Sequence, residues 1–558
     1  MSFRSVILFC LCACASHLHA QPGGVRDQYG WIAFSQPAYY QGDTVHFTTW
    51  FASPPSGSTT IRYQLHLDVS DSKGQVAVHT HFFIVGGWAS SYVVLPAELE
   101  PGYYWVALYS LQGDKPVRLS DDHPLLVSGR RKFEAPASLP IQSTARALLR
   151  TTVQLQSEAI ATRSPIHVDV TVTDSLGKPV AGKFSAALVQ GEVLKYKGGF
   201  DHWPPQVHID VKDSATAHRI NAGSIMQIKG RAVFDKSSKP VPDSTRIAVY
   251  LHRNLIGYEC WTSRNGYFQL PAVLDFAGSD RIFYAASLKG QPLDSVRLEM
   301  ENHPLSLSAA PAVQDGNGTD EFGEYSFQSN MIRQAYGYHR QGAGETPIDN
   351  NQVFEEEYGG ADVWINVGDF VPFEKMEDVL AVIPSIYYRN AGNGKIVQMQ
   401  LSDRSMAHAS PTFWIDGIMT RDADYFMKLH PSQVVSIRLI TNVYKLGHLG
   451  ALGEDGIVIV RTKIRNNHPA LRSRLLPVLG LSNSVPEKVV HEIPADEPAF
   501  HTRLGWWPTL TTDAQGKCSF RAVASDDIGP AHVLIRGITS DGKPFAGSAD
   551  FEVRRREH

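Results

Sequence analysis

The sequence predicts a mainly β, multidomain chain: several Ig-like β-sandwiches and one small α/β domain. Three observations predict it. Short runs of alternating apolar and polar residues recur through most of the chain, bounded by Gly, Pro, Asn and Asp turn signals. One turn pattern, Asp-x-x-Gly, occurs at Asp71–Gly74, Asp174–Gly177 and Asp513–Gly516. Apolar residues recur at helical spacing over Glu374–Ile383, within the stretch 361–465. The 558 residues suggest three to five domains, at about 100–200 residues per domain.

Composition sets the class. Hydrophobic content of 43% and charged content of 19% are those of a folded globular protein. A net charge of −4 and the lack of a basic stripe argue against a nucleic-acid partner. Arg554–Arg556 reads as a solvated basic tip.

Residues 1–20 read as a secretory signal. Arg4 supplies a positive start, Val6–Ala15 is a short apolar run, and Leu18-His19-Ala20 precedes Gln21. Leu11-Cys12-Ala13-Cys14 gives a second reading, a lipobox with Cys14 as the lipidated residue. Cleavage after Ala20 is preferred, because the apolar run is very short if it stops before Cys14. No later apolar stretch approaches the roughly 20 residues a membrane helix needs. The expected location is the periplasm or the outer membrane. Of five cysteines, Cys10, Cys12 and Cys14 fall in the signal. Cys260 and Cys518 are expected as two buried thiols, although an oxidising compartment permits a bridge.

Residues 21–128 read as an all-β sandwich. Its strands include Thr44–Thr49, Arg62–Val69, Ala77–Val85, Ser91–Leu95 and Tyr103–Ser110. Pro101-Gly102 marks a tight turn, since Pro presets φ and Gly tolerates positive φ. A second sandwich spans 152–215 and a third 225–303. The third carries Lys229–Phe234, Lys239–Pro242 and Asn265-Gly266-Tyr267-Phe268. Each Asp-x-x-Gly is expected to turn a hairpin, because its acidic ligands are too few for a calcium loop. Residues 304–358 read as a linker with a short helix near Ser329–Tyr338. Glu355–Glu357 reads as a solvated face.

Residues 361–465 read as the α/β domain. Asp362–Val367 is a strand; Met376, Val379, Leu380 and Ile383 recur at helical spacing over Glu374–Ile383, and Pro384 ends that helix. Ile396–Leu401 and Phe413–Ile415 are strands and Asp424–Leu429 a short helix. Val434–Ile440 and Ile457–Lys463 follow, separated by a ladder of Gly450, Gly453 and Gly456. Residues 500–555 return to β structure and are short for a complete sandwich. They either form a C-terminal unit or borrow strands from upstream, which would make the α/β domain an insertion.

Three resemblances rest on these residues. Tyr40–Phe47, Asp71–Gly74 and Leu99–Tyr104 resemble macroglobulin-like β-sandwiches of the α2-macroglobulin superfamily, as does the tail. Residues 225–303 look like the carboxypeptidase-regulatory type of sandwich, whose Asn-Gly-Tyr-Phe element is a hairpin turn followed by a core aromatic. Glu377–Leu380 with Ile383-Pro384, Ile415-Asp416-Gly417, Val434–Ile437 and the closing Gly450, Gly453, Gly456 and Ile457–Lys463 resemble the plug domain of TonB-dependent outer-membrane receptors. Ser385 and Leu449 stand where that family commonly has Gly and Tyr. A receptor of that type closes a 22-stranded barrel after its plug, at about 10 residues per strand. Fewer than about 100 residues follow Lys463 here. The resemblance therefore implies a plug-like domain without a barrel.

Chemistry-bearing motifs are sparse. No Gly-x-Ser-x-Gly elbow, His-Glu-x-x-His helix or phosphate-cradling glycine loop occurs. Neither Cys260 nor Cys518 sits in a Gly-Cys-Gly-Glu thioester context. Asp416, ahead of Gly417, reads as a turn residue at a strand end. Trp414, Trp506 and Trp507 could bind a ligand if exposed, but core is the commoner fate of such residues. His79 and His81, two apart on a strand, face one side and are the weak metal candidates, with His46 or His66 as a third ligand. The sequence completes no ligand set, so no metal or cofactor is expected. The chain is expected to be a non-enzymatic exported envelope protein that presents its plug-like domain to a protein partner, an outer-membrane barrel among the choices. The competing expectation is an accessory or truncated relative of a TonB-dependent nutrient importer that captures a small ligand or peptide.

Overall fold

The computed structural model describes residues 30–51, 63–84, 87–112, 115–120, 123–129, 149–196, 228–251, 256–270, 279–289, 291–293, 295–300, 321–336, 360–391, 394–463, 468, 471, 475–480, 489–490, 498–540 and 542–556. The signal segment 1–20, Cys14, Glu355–Glu357 and most of 304–358 lie outside the described residues. The architecture is mainly β, with many short strands in several sheets. Among the described residues no helix is long and apolar enough to cross a membrane. The chain divides into two compact units, one within 1–224, 304–339 and 484–558, the other within 225–303 and 340–483.

In the first unit, one sandwich faces a three-stranded sheet (Gly30–Phe34, Thr44–Phe51, Trp88–Val94) against a larger one. The larger sheet runs Ala38–Tyr40, His123–Ser128, Gly102–Gln112, Tyr63–Ser70, Val76–Ile84 in spatial order. Strand alternation explains the core: Leu65, Leu67 and Val69 point inward with Phe47, Phe82 and Val106. Phe47 and Phe82 meet edge to face at 5.5 Å.

The second sandwich joins two distant parts of the sequence. Leu149–Leu155, Pro165–Asp174 and Lys517–Val523 form one sheet. Ala159–Ala161, Pro544–Arg554, Gly529–Thr539, Gly182–Gln190, Arg503–Thr511 and Val489–Val490 form the facing one. Residues 500–555 are therefore not a separate unit. They supply half of the sandwich that starts at Leu149, with Pro165 paired to Val523 and Phe184 to Gly537. Trp507 fills that core against Phe520, with ring centroids 4.5 Å apart.

The helix expected near Ser329–Tyr338 has other bounds: it spans Glu321–Ala335 and so starts earlier. Its buried residues, Phe322, Gly323, Ser326 and Ser329, follow helical spacing. Phe322 joins a cluster with Trp31, Trp50 and Trp506, and Ser329 Oγ donates to the Phe500 carbonyl at 3.1 Å.

The Asp-x-x-Gly turns share one geometry. Asp71, Asp174 and Asp513 each accept two backbone N–H bonds from residues two and four ahead, at 2.8–2.9 Å. Only the first joins two paired strands. The other two carry the chain from one sheet of the second sandwich to the facing one, so the local turn is shared and the connection is not.

Arg163 and Asp526 tie the two sequence halves of this sandwich by paired bonds of 2.6 and 2.7 Å, and Asp526 also accepts from Ala499 N at 2.8 Å. The Arg163 hydrogen bond chiefly holds the Asp526 carboxyl below its ordinary range. Arg163→Ala is expected to cost the first unit about 1 kcal/mol in urea unfolding, less at high salt, because the pair is partly solvated.

In the second unit, a sandwich pairs Tyr267–Leu270, Ile228–Phe234 and Val296–Met300 against Ile256–Trp261, Arg246–Leu251, Ser279–Leu288 and Gln291–Leu293. Leu476–Leu479 adds a strand to the second sheet. Asn265-Gly266 turns the chain between the facing sheets, not within a hairpin, and Phe268 then enters the core. Cys260 here and Cys518 in the other unit are both free thiols; Cys260 is buried and Cys518 half-buried.

The α/β domain of this unit is built on a five-stranded mixed sheet. Its spatial order is Val363–Asn366, Val434–Ile440, Ile457–Thr462, Thr412–Ile415, Ile418–Thr420. Helix Met376–Val382 buries Met376, Val379 and Leu380, and helix Ala423–Met427 is capped by Asp422, which accepts from Tyr425 N. The hydrophobic core does not stop at the domain edge. Ala248, Tyr250 and Phe283 of the adjacent sandwich belong to the same cluster, with Tyr250 edge-on to Trp414 at 6.1 Å.

Candidate functional site

Asp416 and Gly417 form a two-residue hairpin turn between Thr412–Ile415 and Ile418–Thr420, with φ of 47° and 83°. Positive φ at both positions is what a tight type I′ turn requires, and Asp-Gly meets it. The turn points the Asp416 carboxylate back into the domain. It accepts from Thr462 N at 2.8 Å, from the Thr462 hydroxyl, and from His468 Nε2 at 2.9 Å. His468 Nδ1 in turn lies 2.8 Å from the Tyr425 hydroxyl. The Asp416 and His468 side chains are 2% and 7% exposed.

An Asp–His–Tyr line invites a nucleophile reading, and electrostatics argues against it. Burial foremost, then the Asp416 and Asp422 carboxylates, raises the Tyr425 phenol, keeping it protonated. An activated nucleophile needs the opposite shift. The arrangement can lock the end of Ile457–Thr462 to the Asp416 turn.

The glycine ladder is a seating surface. A Cβ on Gly450 would stand 2.4 Å from Glu259 Oε1, on the sandwich of the same unit. On Gly453 it would stand 2.5 Å from the Leu446 carbonyl oxygen, and on Gly456 2.8 Å from Met399 Sδ. Glu259 is bound to Arg246 at 2.7 Å, and Arg246 reaches Glu454 at 2.8 Å, beside the ladder. A short helix, Val443–Leu446, and a 3-10 turn, Gly447–Leu452, that holds Gly450 come before Gly453, and Gly456 leads into strand Ile457–Thr462, so the ladder opens onto a strand and not onto the helix N-terminus that phosphate binding needs.

On the opposite side of the sheet order, Val363–Asn366 is an edge. Among the described residues it pairs only with Val434–Ile440. Asp362 fixes its start by accepting from Thr441 N, Asn442 N and Lys445 Nζ at 2.7–2.8 Å. Trp364 is 62% exposed, with the Arg438 guanidinium 4.1 Å from its ring centroid. Phe370 and Val371 follow, also exposed, Val371 at 78%. Sequence reading missed this surface because Trp364 and Val371 look like ordinary strand and loop residues. Trp414, Trp506 and Trp507, the aromatics it singled out, are all buried.

The histidines lie in the first unit. His79 and His81 share a face of Val76–Ile84, and the neighbouring strand brings His66 opposite His81 and Asp68 opposite His79. One ring nitrogen from each of His66, His79 and His81 lies within 4.8 Å of the other two. His46, the other expected third ligand, belongs to the facing sheet and packs on Tyr92 at 6.0 Å. Asp68, fully buried, accepts from His79 Nδ1 at 2.6 Å and from the Tyr109 hydroxyl at 3.3 Å. Tyr109 stacks on His66 at 5.1 Å.

No family model matches the chain, and no curated protein matches it. Among solved structures it is similar to native Escherichia coli alpha-2-macroglobulin, at 9% identity and a TM-score of 0.24, over 96% of this chain and 40% of that one. Salmonella alpha-2-macroglobulin reacted with methylamine gives 8% identity and a TM-score of 0.24, over 95% and 40%. The Yersinia pseudotuberculosis adhesin InvE gives 11% identity and a TM-score of 0.13, over 49% and 58%. The chain thus spans about 40% of the length of these macroglobulins. Likenesses this weak assign neither an activity nor a partner.

Proposed function

We propose that the chain is a non-catalytic, exported cell-envelope protein in which macroglobulin-like sandwiches, and a regulatory-type one, carry a plug-like domain that docks on an outer-membrane or periplasmic protein. One observation carries the reading: among the described residues Val363–Asn366 is an edge strand, with Trp364 exposed on it and Phe370 and Val371 exposed just after it in the chain. An unpaired strand edge offers backbone donors and acceptors to an incoming strand, and a large aromatic next to it supplies an anchor. The Asp416 network supports a structural role for the plug-like motif, since its carboxylate is already engaged by Thr462 and His468.

The test is a pull-down from envelope extract with the full chain and with a Trp364→Ala, Val371→Asp variant. A barrel or periplasmic protein recovered by the wild type is expected to fall at least about 10-fold with the variant, the scale of losing an interface anchor. Equal recovery by both proteins removes this surface from the reading. A small ligand or peptide co-purifying in its place favours the capture reading.

A further inference from the structure

We propose that His66, His79 and His81 form a three-histidine site for a zinc-class divalent transition-metal ion, leaving one coordination position to solvent or an external ligand. The argument starts from register. Two antiparallel strands place His66 directly across from His81 and Asp68 across from His79. Directly opposed residues share a sheet face, and so do residues two apart on one strand. All three imidazoles therefore converge: ring centroids are 5.4 Å apart for His66 and His79, 5.9 Å for His66 and His81, and 5.9 Å for His79 and His81.

The surroundings are those of a ligand set. A ligating histidine commonly gives its other ring N–H to a carboxylate, which fixes tautomer and orientation. Asp68 does this for His79 Nδ1 at 2.6 Å and leaves Nε2 as the ligand atom. Tyr109 braces both parts, bonding Asp68 and stacking on His66. Gln64 Nε2 lies 3.4 Å from His66 Nε2. His66 and His81 are buried, whereas the His79 side chain is 39% exposed and opens the site to solvent.

The donor chemistry selects the ion. Three neutral imidazoles suit zinc, copper, nickel or cobalt, and an all-nitrogen set is poor for calcium or magnesium, which take oxygen ligands. Three histidines with a fourth place open is a known zinc arrangement.

The test uses the full chain, stripped with a chelator and dialysed. Isothermal titration with zinc is expected to show one tight site, and cobalt(II) substitution a visible absorption band of a four- or five-coordinate nitrogen site. His79→Ala, which changes a half-exposed position, is expected to abolish the band and the tight binding. Asp68→Asn should weaken zinc by about 10–100-fold, the usual effect of losing the carboxylate behind a ligating histidine. His46→Ala should bind like the wild type. No cobalt band in the wild type, or a band and zinc affinity unchanged in folded His79→Ala, overturns the proposal. Circular dichroism checks that each variant is folded. The wild-type cobalt spectrum decides the matter if His66→Ala or His81→Ala fails to fold.

Discussion

Asp416→Ala is expected to destabilise the second unit by about 3 kcal/mol, because it strands three buried donors at once. Thr462 N–H, the Thr462 hydroxyl and His468 Nε2 all converge on this carboxylate. Removing one partner of a buried group costs the desolvation of the groups left behind, which exceeds the net worth of the bonds themselves. The measurement is urea unfolding followed by tryptophan fluorescence, with Trp414, buried and two residues away, as a reporter of this domain. Asp416→Asn keeps the shape but turns an N–H₂ group toward existing donors, so it should fall between wild type and Asp416→Ala.

The acid dependence has a definite sign. Burial raises the Asp416 carboxyl, but hydrogen bonds from His468 and Thr462 outweigh it and hold the group below its ordinary range. Its contribution is therefore complete above about pH 4, the unfolded carboxylate value, and is lost as pH falls through the lower folded value. The stability gap between wild type and Asp416→Asn should shrink below about pH 4. A gap that is constant with pH would show that the carboxylate's charge contributes nothing.

What was legible in the sequence was local. Asp-x-x-Gly turns could be read because Asp71, Asp174 and Asp513 bond residues only two and four positions ahead. Asp416-Gly417 could be read as a tight turn for the same reason. Where each turn leads was not legible. Strand Pro165–Asp174 finds its partner in Lys517–Val523, across the whole inserted second unit, and no local pattern encodes that register. The early start of helix Glu321–Ala335 escaped because its buried face uses Gly323, Ser326 and Ser329, so packing follows helical spacing while hydrophobicity does not. The histidine site was half legible. His79 and His81 show the strand period and His66 was one of two choices for a third ligand, but only cross-strand pairing selects His66 over His46 and adds Asp68. The Asp416 network was hidden likewise: His468 and Tyr425 reach it through tertiary packing.

Gly450→Ala should cost the second unit about 2–4 kcal/mol, and the reason corrects the ladder's meaning. Gly450 has φ of 53° and ψ of −134°, a region an L-residue enters only with strain. Its added Cβ would also stand 2.4 Å from Glu259 Oε1. Glu259 is a flexible side chain, but Arg246 holds it through bonds of 2.7, 2.9 and 3.0 Å. Alanine must therefore twist the backbone or push Glu259 off Arg246. Gly447→Ala is the internal control: its φ is −58°, nothing lies within 4 Å of a Cβ, and it should be neutral or slightly stabilising. A double-mutant cycle with Glu259→Ala separates the two costs. If the clash matters, Gly450→Ala becomes cheaper by about 1 kcal/mol once Glu259 is gone, and the remainder is backbone strain. If the cycle is additive, backbone conformation alone requires the glycine. A Gly450→Ala protein as stable as Gly447→Ala would mean that the ladder does not seat on the sandwich. The shared core of Tyr250, Phe283 and Trp414 would then have to hold the two domains together without it.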